Sequence, residues 1–383
     1  MKDRRKWLFN VLRVVFGLAL LYVAYRLIHF HDLWVVQRDG LKLQASEVRD
    51  EGSHWRVRAD GAEQVLPKEG TKVEFREGFL SLFRRMDRRL YFLISPLLLV
   101  PLAVAAFRWY LLLRASGFEV RYSTILRVTY LGAFFNNFLP GSVGGDIARG
   151  VIAAKGEDRK AALAATILLD RLVGLAAMIV MAAVCVAPLA TDPRLRIPVL
   201  LVGGGLVGLI LAYVVYFSRT IRNLPFLRKL KGAGKVGKIA RDLDATFHLV
   251  KERKGVAVQC ALLSVLAQIL TIGVIFGLAR GLGVTQVTLL QFFIFEPIIF
   301  ILTAIPVSPG GWGVQEGAYA LLFGLVDVPR NQAIAISILY KLTLVFLSLP
   351  GGILFALGGA RRRRESGART EIDGPTGDVP AHE

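Results

Sequence analysis

Seven ionised side chains fall where the chain is otherwise apolar, and these are the residues with chemistry to offer. Asp146 and Arg149 stand three apart, Asp170 and Arg171 are adjacent, and Glu296, Glu316 and Lys341 come singly. Each costs about 2.5 to 3.5 kcal/mol near the centre of a membrane helix, so the set is hard to carry unpaired. Three cations and four anions can instead neutralise one another around one polar cavity. Arg149, Arg171 and Lys341 suit a phosphate; Asp146, Asp170, Glu296 and Glu316 suit an amine, a proton or a sugar hydroxyl. An amphiphile whose head group crosses such a cavity while its tails stay in lipid meets both needs. Each residue has a plainer role open to it: Asp146 and Arg149 cap and neutralise a short helix, Lys341 snorkels, and Glu296 offsets the hydrogen bond lost at Pro297. Adjacent residues point about 100° apart on a helix, so Asp170 and Arg171 each need a partner on another segment. That partner makes either a structural lock or a substrate site.

The elements that must position these groups are two interrupted stretches. The first runs NNFLPGSVGGDIARG from Asn136 to Gly150, with Asn136 and Asn137 before a break at Pro140 and Gly141 and with Gly144 and Gly145 after it. The second runs PVSPGGWGVQE from Pro306 to Glu316, broken at Pro309, Gly310, Gly311 and Gly313. Interrupted backbone survives at membrane depth only where protein or a watery cavity satisfies its free N–H and C=O groups. A helix restarting after glycines also offers amides and a favourable dipole to an anion, here near Gly144 and Gly145.

The composition places this pattern in a membrane. Hydrophobic residues make up 54% of 383 and mean hydropathy is +0.52, with several nearly uncharged runs of about 18 residues or more. The sequence therefore predicts an all-α polytopic membrane protein of about eight membrane segments: 7–28, 91–113, a broken 123–154, 161–187, 197–217, 256–278, a broken 287–326, and 333–357. Residues 1–30 read as an uncleaved N-terminal anchor, 90–358 as the transmembrane domain and 359–383 as a disordered tail. The net charge of +19 sits in Lys2 to Lys6, in the 219–255 loop and in Arg361 to Arg364. These clusters flank apolar runs, which points to orientation and anionic lipid rather than nucleic acid. With that loop and both termini cytoplasmic, 123–154 begins and ends inside while 287–326 begins and ends outside. Each is then a re-entrant hairpin, and the two enter from opposite faces, as in transporters built on inverted repeats.

Residues 31–89 are different material, a small β-rich extracytoplasmic module with strands expected at Leu33–Val36, Trp55–Val57 and Val73–Phe75. It is small for an independent core and is expected to lean on the membrane domain; it could also carry a protein partner. Cys185 and Cys260 lie inside apolar runs and read as packing residues. No metal-ligand spacing, nucleotide loop or catalytic signature is present, so no cofactor, no metal and no enzyme activity are expected.

The Asn136–Gly150 stretch, the DRLVGL run from Asp170 to Leu175 and PVSPGGWGVQEGAYALLF together resemble the three signature regions of the lysylphosphatidylglycerol synthase transmembrane (flippase-like) family. The resemblance spans roughly 91–358 and lacks a synthase domain. It implies an integral membrane domain, in the bacterial cytoplasmic membrane, that moves or presents a phospholipid or lipid-linked anionic head group without ATP hydrolysis. It assigns substrate contact to Asn136, Asn137, Gly144, Gly145, Asp146, Arg149, Asp170, Arg171 and Glu316, with Lys341 added from the charge pattern, and structural breaks to Pro140, Gly141, Pro309, Gly310, Gly311 and Gly313. Two alternatives stand beside it: a scaffold or accessory subunit acting through the outer module, and a lipid-modifying transferase with Asp146 or Glu316 as base.

Overall fold

The computed structural model describes residues 31–38, 41–45, 47–59, 62–138, 144–154, 158–217, 245, 252–305, 307–308 and 310–372. The expected anchor at 1–30, most of the 219–255 loop, and Pro140, Gly141 and Pro309 fall outside them.

The apolar runs fold as helices. A short α1 (Phe79–Arg85) leads to α2 (Arg88–Ile94), whose first turn is capped by the Asp87 carboxylate accepting from the Leu90 N–H. A 3-10 turn at Ser95–Leu98 joins α2 to α3 (Leu99–Ala115), giving one long apolar rod. There follow α4 (Tyr122–Phe138), α5 (Gly144–Ala153), α6 (Lys160–Val186), α7 (Arg196–Phe217), α8 (Lys254–Gly281), α9 (Leu289–Ala304), α10 (Val314–Gly324) and α11 (Arg330–Ile372). Among the described residues five stretches are long and apolar enough to cross a membrane: Arg88–Ala115, Lys160–Leu189, Pro193–Ala212, Lys254–Gly281 and Arg330–Ile353. The chain is an integral, multi-pass membrane protein, mostly helical, with small antiparallel sheets.

The expected count of eight segments resolves differently. The segment 7–28 lies outside the described residues; five of the others are continuous apolar stretches, and the two broken ones are each split into a pair, α4 with α5 and α9 with α10. Helix α11 continues to Ile372, past residue 358 where the sequence predicts disorder to begin. Helix α7 is apolar all round, with Ile197, Leu200, Val207 and Leu211 more than half exposed, as a helix facing lipid requires.

Strands β1 (Leu33–Arg38), β2 (Leu41–Ala45) and β6 (Lys72–Arg76) form one sheet in the order β2-β1-β6; β3 (Glu47–Glu51), β4 (His54–Ala59) and β5 (Ala62–Pro67) form a second in the order β3-β4-β5. All pairings are antiparallel, with Val36 opposite both Leu43 and Val73 and Val57 opposite both Val48 and Gln64. The expected strands lie inside β1, β4 and β6. In strands β2, β3 and β5 charges mask the alternation that marks a strand; across the second sheet those charges pair, as Arg58 with Glu63 at 2.6 Å and Arg56 with Glu51 at 2.8 Å. The module's own core is only Val36, Ala45, Val57 and Ala59, with partly buried neighbours. It leans on the helices as its size demands: Leu82, Phe79 and Phe83 of α1 enter the main core, and Asn331 of α11 donates to the Glu77 carbonyl at 2.8 Å.

The main core is an aromatic and aliphatic cluster from α6, α8, α9, α10 and α11, with Phe292, Phe295, Tyr319 and Phe323 at 1% exposure or less. Lipid tails are as apolar as leucine, so helix association leans on close backbone approach at small residues. A Cβ on Gly145 would stand 2.1 Å from the Gly132 carbonyl oxygen, and one on Gly351 would stand 2.9 Å from the Tyr130 ring. These glycines set α5 on α4 and α11 on α4.

Candidate functional site

The contact of α4 with α5 fixes the first functional group. Gly132 leaves room for the Arg149 stem, and the Asn136 side chain accepts from the Gly145 N–H at 2.6 Å. Asp146 in the first turn of α5 and Arg149 in the second therefore face α3 and α6. There Arg149 stacks on Trp109 of α3, 4.1 Å from guanidinium carbon to ring centroid, and Trp109 is held by its Nε1–H donating to Thr166 at 3.2 Å.

Five charges meet at this place. Arg108 of α3 donates Nε to Asp170 at 2.7 Å and Nη1 to Ser264 of α8 at 2.7 Å. Arg149 donates to Asp146 at 3.2 Å and lies 3.7 Å from Asp170, while Arg171 donates to the other oxygen of Asp146. Asp170 and Arg171 thus find partners on different elements, as their angular separation requires. Both carboxylates are engaged by two guanidinium groups each. Among the described residues the site holds three guanidinium groups and two carboxylates.

The five line a cavity of about 310 Å³ that also takes in Asn136, Gly132, Thr129, Gln268 and Tyr340, with an apolar side formed by Leu98, Leu102, Leu175, Met178, Phe300 and Leu344. Among the described residues, the Nε and one terminal nitrogen of Arg149 and the Thr129 hydroxyl have no hydrogen-bond partner although buried. Buried donors left unpaired cost about 1 to 3 kcal/mol each, and more when charged. Leu102 also lines a separate side groove of about 750 Å³ between α3, α4 and α11, walled by Leu99, Leu126, Tyr130 and Gly351 with Arg127 beside them.

The structure corrects the expectation of one chamber for all seven charges. Glu316 and Lys341 do not line the cavity. They pair with each other at 3.2 Å in a separate buried position, where Glu316 also accepts from the Gly313 N–H at 2.6 Å and from Ser337 at 3.2 Å, and Lys341 lies 4.5 Å from the Trp312 ring centroid. Glu296 accepts from the Tyr319 hydroxyl and does not line the cavity either. The Gly145 amide is taken by Asn136 and is not free for an anion, and neither Gly144 nor Gly145 lines the cavity. Asn137 is a structural tie, donating to the Ala133 carbonyl and to Ser348 at 3.0 Å. Of the expected contact residues, Asn136, Asp146, Arg149, Asp170 and Arg171 come together; Asn137, Gly144, Gly145, Glu316 and Lys341 do not join them.

The last turn of α4 nevertheless meets the second break. Gly310 lies against the Asn137 carbonyl, where an added Cβ would stand 2.7 Å away, and its φ of +54° favours glycine; Gly311 and Gly313 also have positive φ. The sequence assigns no site role to Arg108, which reads as the end of its apolar run, or to Trp109, which reads as a lipid-facing or packing residue. The available signal was the position of Arg108, tenth in the seventeen-residue LVPLAVAAFRWYLLLRA helix, too deep to be an end anchor.

A family model described as "Lysylphosphatidylglycerol synthase TM region" matches residues 76–351. The chain is also similar to "UPF0104 membrane protein PH1989" of Pyrococcus horikoshii, 24% identical over 305 residues that cover 73% of this chain and 90% of that one. No solved structure matches it significantly.

Proposed function

Because the chain belongs to the lysylphosphatidylglycerol synthase TM-region family, we propose that it carries an anionic lipid head group through the cavity between α3, α4, α5 and α6, and so translocates or presents that lipid across the bilayer without ATP hydrolysis. The observation that carries this reading is Arg149. Its guanidinium is buried on Trp109 with two nitrogens that have no hydrogen-bond partner among the described residues, in a cavity lined by three guanidinium groups. A phosphate oxygen supplies the acceptor those nitrogens lack. An ammonium group would find both carboxylates already committed to arginines. The side groove that shares Leu102 gives an acyl chain a lateral path while the head group stays in the polar part.

The two split helix pairs are, in this reading, re-entrant hairpins from opposite membrane faces whose tips meet at Asn137 and Gly310, with both chain termini and the basic loop cytoplasmic and the β-rich module outside. The transferase alternative is weakened by the engagement of both candidate bases: Asp146 is held by Arg149 and Arg171, and Glu316 by Lys341 and the Gly313 N–H.

The test is reconstitution in liposomes with fluorescent phosphatidylglycerol on one leaflet. Wild type is expected to exchange the lipid between leaflets, and Arg149→Ala and Asp170→Ala to stop it while still inserting at wild-type levels. Equal rates for all three proteins would dispose of the reading.

A further inference from the structure

The cavity is lined by more than its charges. Along α4 the wall reads Thr129, Gly132, Ala133 and Asn136, spaced i, i+3, i+4 and i+7, which is one stripe of a helix. The Arg149 stem crosses that stripe at Gly132, where an added Cβ would stand 2.6 Å from its Cγ. Thr129 and Asn136 therefore flank the arginine about one turn away on either side. On α8, Ser264 accepts from Arg108 at 2.7 Å, and one turn further on Gln268 lines the cavity with Ala267 and Thr271.

These neutral side chains carry hydrogen-bonding groups that the protein does not use up. Thr166, Thr271, Thr303 and Thr343 each donate to a carbonyl three or four residues back, the ordinary resort of a helical threonine. Thr129 does not: it is 4% exposed, and its hydroxyl has no partner among the described residues. The Asn136 oxygen accepts from the Gly145 N–H at 2.6 Å, which fixes the orientation of the amide and leaves its two N–H donors on the other side. Gln268, half-buried, adds an amide with both a donor and an acceptor.

A phosphodiester offers acceptors alone, so it satisfies arginines and leaves the Gln268 oxygen with nothing to accept. A hydroxyl both donates and accepts, and it matches Thr129, Asn136 and Gln268 alike. An ammonium group needs a carboxylate, and Asp146 and Asp170 are each held by two guanidinium groups. The cavity of about 310 Å³ is at the lower end of the roughly 300 to 1,000 Å³ usual for small-ligand sites, which suits one short polyol and not an oligosaccharide.

We propose that the head group recognised here is a phosphodiester bearing a small uncharged polyol such as glycerol, selected by its hydroxyls at Thr129, Asn136 and Gln268 while the arginines hold the phosphate. The proposal rests on the cavity as head-group site. Gln268 and Thr129 are the specificity-determining residues to test, because Asn136 also ties α4 to α5 through Gly145.

Binding to the full chain in detergent is measured by isothermal titration calorimetry with dioctanoylphosphatidylglycerol and dioctanoylphosphatidylmethanol, which carry the same phosphodiester charge and differ in the hydroxyls. Wild type is expected to bind the glycerol lipid about 10-fold more tightly, as one or two hydrogen bonds made by the hydroxyls imply. Dioctanoylphosphatidylethanolamine is expected to bind no better than the methyl ester. Gln268→Leu and Thr129→Val are expected to reduce the preference for glycerol while binding the methyl ester as wild type does, which also reports that each variant is folded. Equal affinity of wild type for the glycerol and methyl lipids, tighter binding of the ethanolamine lipid, or a preference that survives intact in both variants overturns the proposal. Failure of every lipid to bind wild type would instead strike the head-group reading, and the polyol site with it.

Discussion

Arg108→Met separates a positioning role from a passive one. Arg108 is 8% exposed and spans three helices, donating to Asp170 at 2.7 Å and to Ser264 at 2.7 Å. Its removal leaves Asp170 with Arg149 at 3.7 Å as its remaining ion-pair partner. Removing one partner outright from a buried pair costs about 3 to 5 kcal/mol; here the longer Arg149 contact offsets part of it, and methionine fills most of the lost volume, so little of the loss is a packing defect. At the roughly 2 °C per kcal/mol appropriate to a long chain, the melting temperature in detergent should fall measurably, by up to about 6 to 10 °C. Replacing both partners, as Arg108→Met with Asp170→Leu, removes the stranded charge, and a buried pair exchanged for apolar residues is close to neutral or stabilising. The double variant should therefore melt well above the single one yet fail to exchange lipid, because Arg149 has lost Asp170. Intrinsic tryptophan fluorescence against temperature reads the first outcome and the liposome assay the second. A double variant no more stable than Arg108→Met, or a single variant that melts like wild type, would refute the assignment of Arg108 as the cation that holds Asp170.

Other outcomes follow from the packing. Gly145→Ala should destabilise by about 1 to 3 kcal/mol or more, because its Cβ meets the Gly132 carbonyl and Asn136 side chain. Gly203→Ala, on open helix surface, should gain up to about 1 kcal/mol from helix propensity, and denaturation in mixed micelles compares the two. Asp32 accepts from the Gly78 N–H at 2.7 Å, and that bond, with help from Ser81 and Arg85, holds its carboxyl below the ordinary 3.8. Its contribution to docking of the β-rich module is thus complete above pH 3.8 and is lost as pH falls through the lower folded value. Hydrogen exchange at Gly78, corrected for intrinsic rate, should show protection falling in that window, and Asp32→Asn should remove the dependence. Asn136→Ala should cost about 1 kcal/mol by freeing the Gly145 N–H, as loss of a helix cap does.

The interruptions were legible because proline and glycine announce themselves in an apolar run, and both stretches became split helix pairs. The angular argument for Asp170 and Arg171 also carried through, since helix geometry fixes the direction of adjacent residues whatever surrounds them. Which charges share a chamber was not legible. Asp146 and Glu316 look alike in the sequence, each following a glycine-rich break, but only the facing of α5 on α3 and α6 and of α10 on α11 sends one to the cavity and the other to Lys341. Arg108 carries no site signal in one dimension, because its partners Ser264 and Asp170 lie 156 and 62 residues away. Strand β3 reads as Glu-Val-Arg-Asp-Glu, where cross-strand pairing, invisible in one dimension, makes its charges compatible with a sheet.

The run Pro350, Gly351, Gly352 has a mechanical consequence. Proline within α11 withholds one rung of the helix ladder, and the two glycines after it carry no side chain to stiffen the turn. Gly351 is also the α11 wall of the side groove, facing Tyr130. The width of that groove is therefore set by how closely α11 lies on Tyr130 and Phe134 of α4 at these two glycines, and a side chain added at either would push the helices apart and widen it.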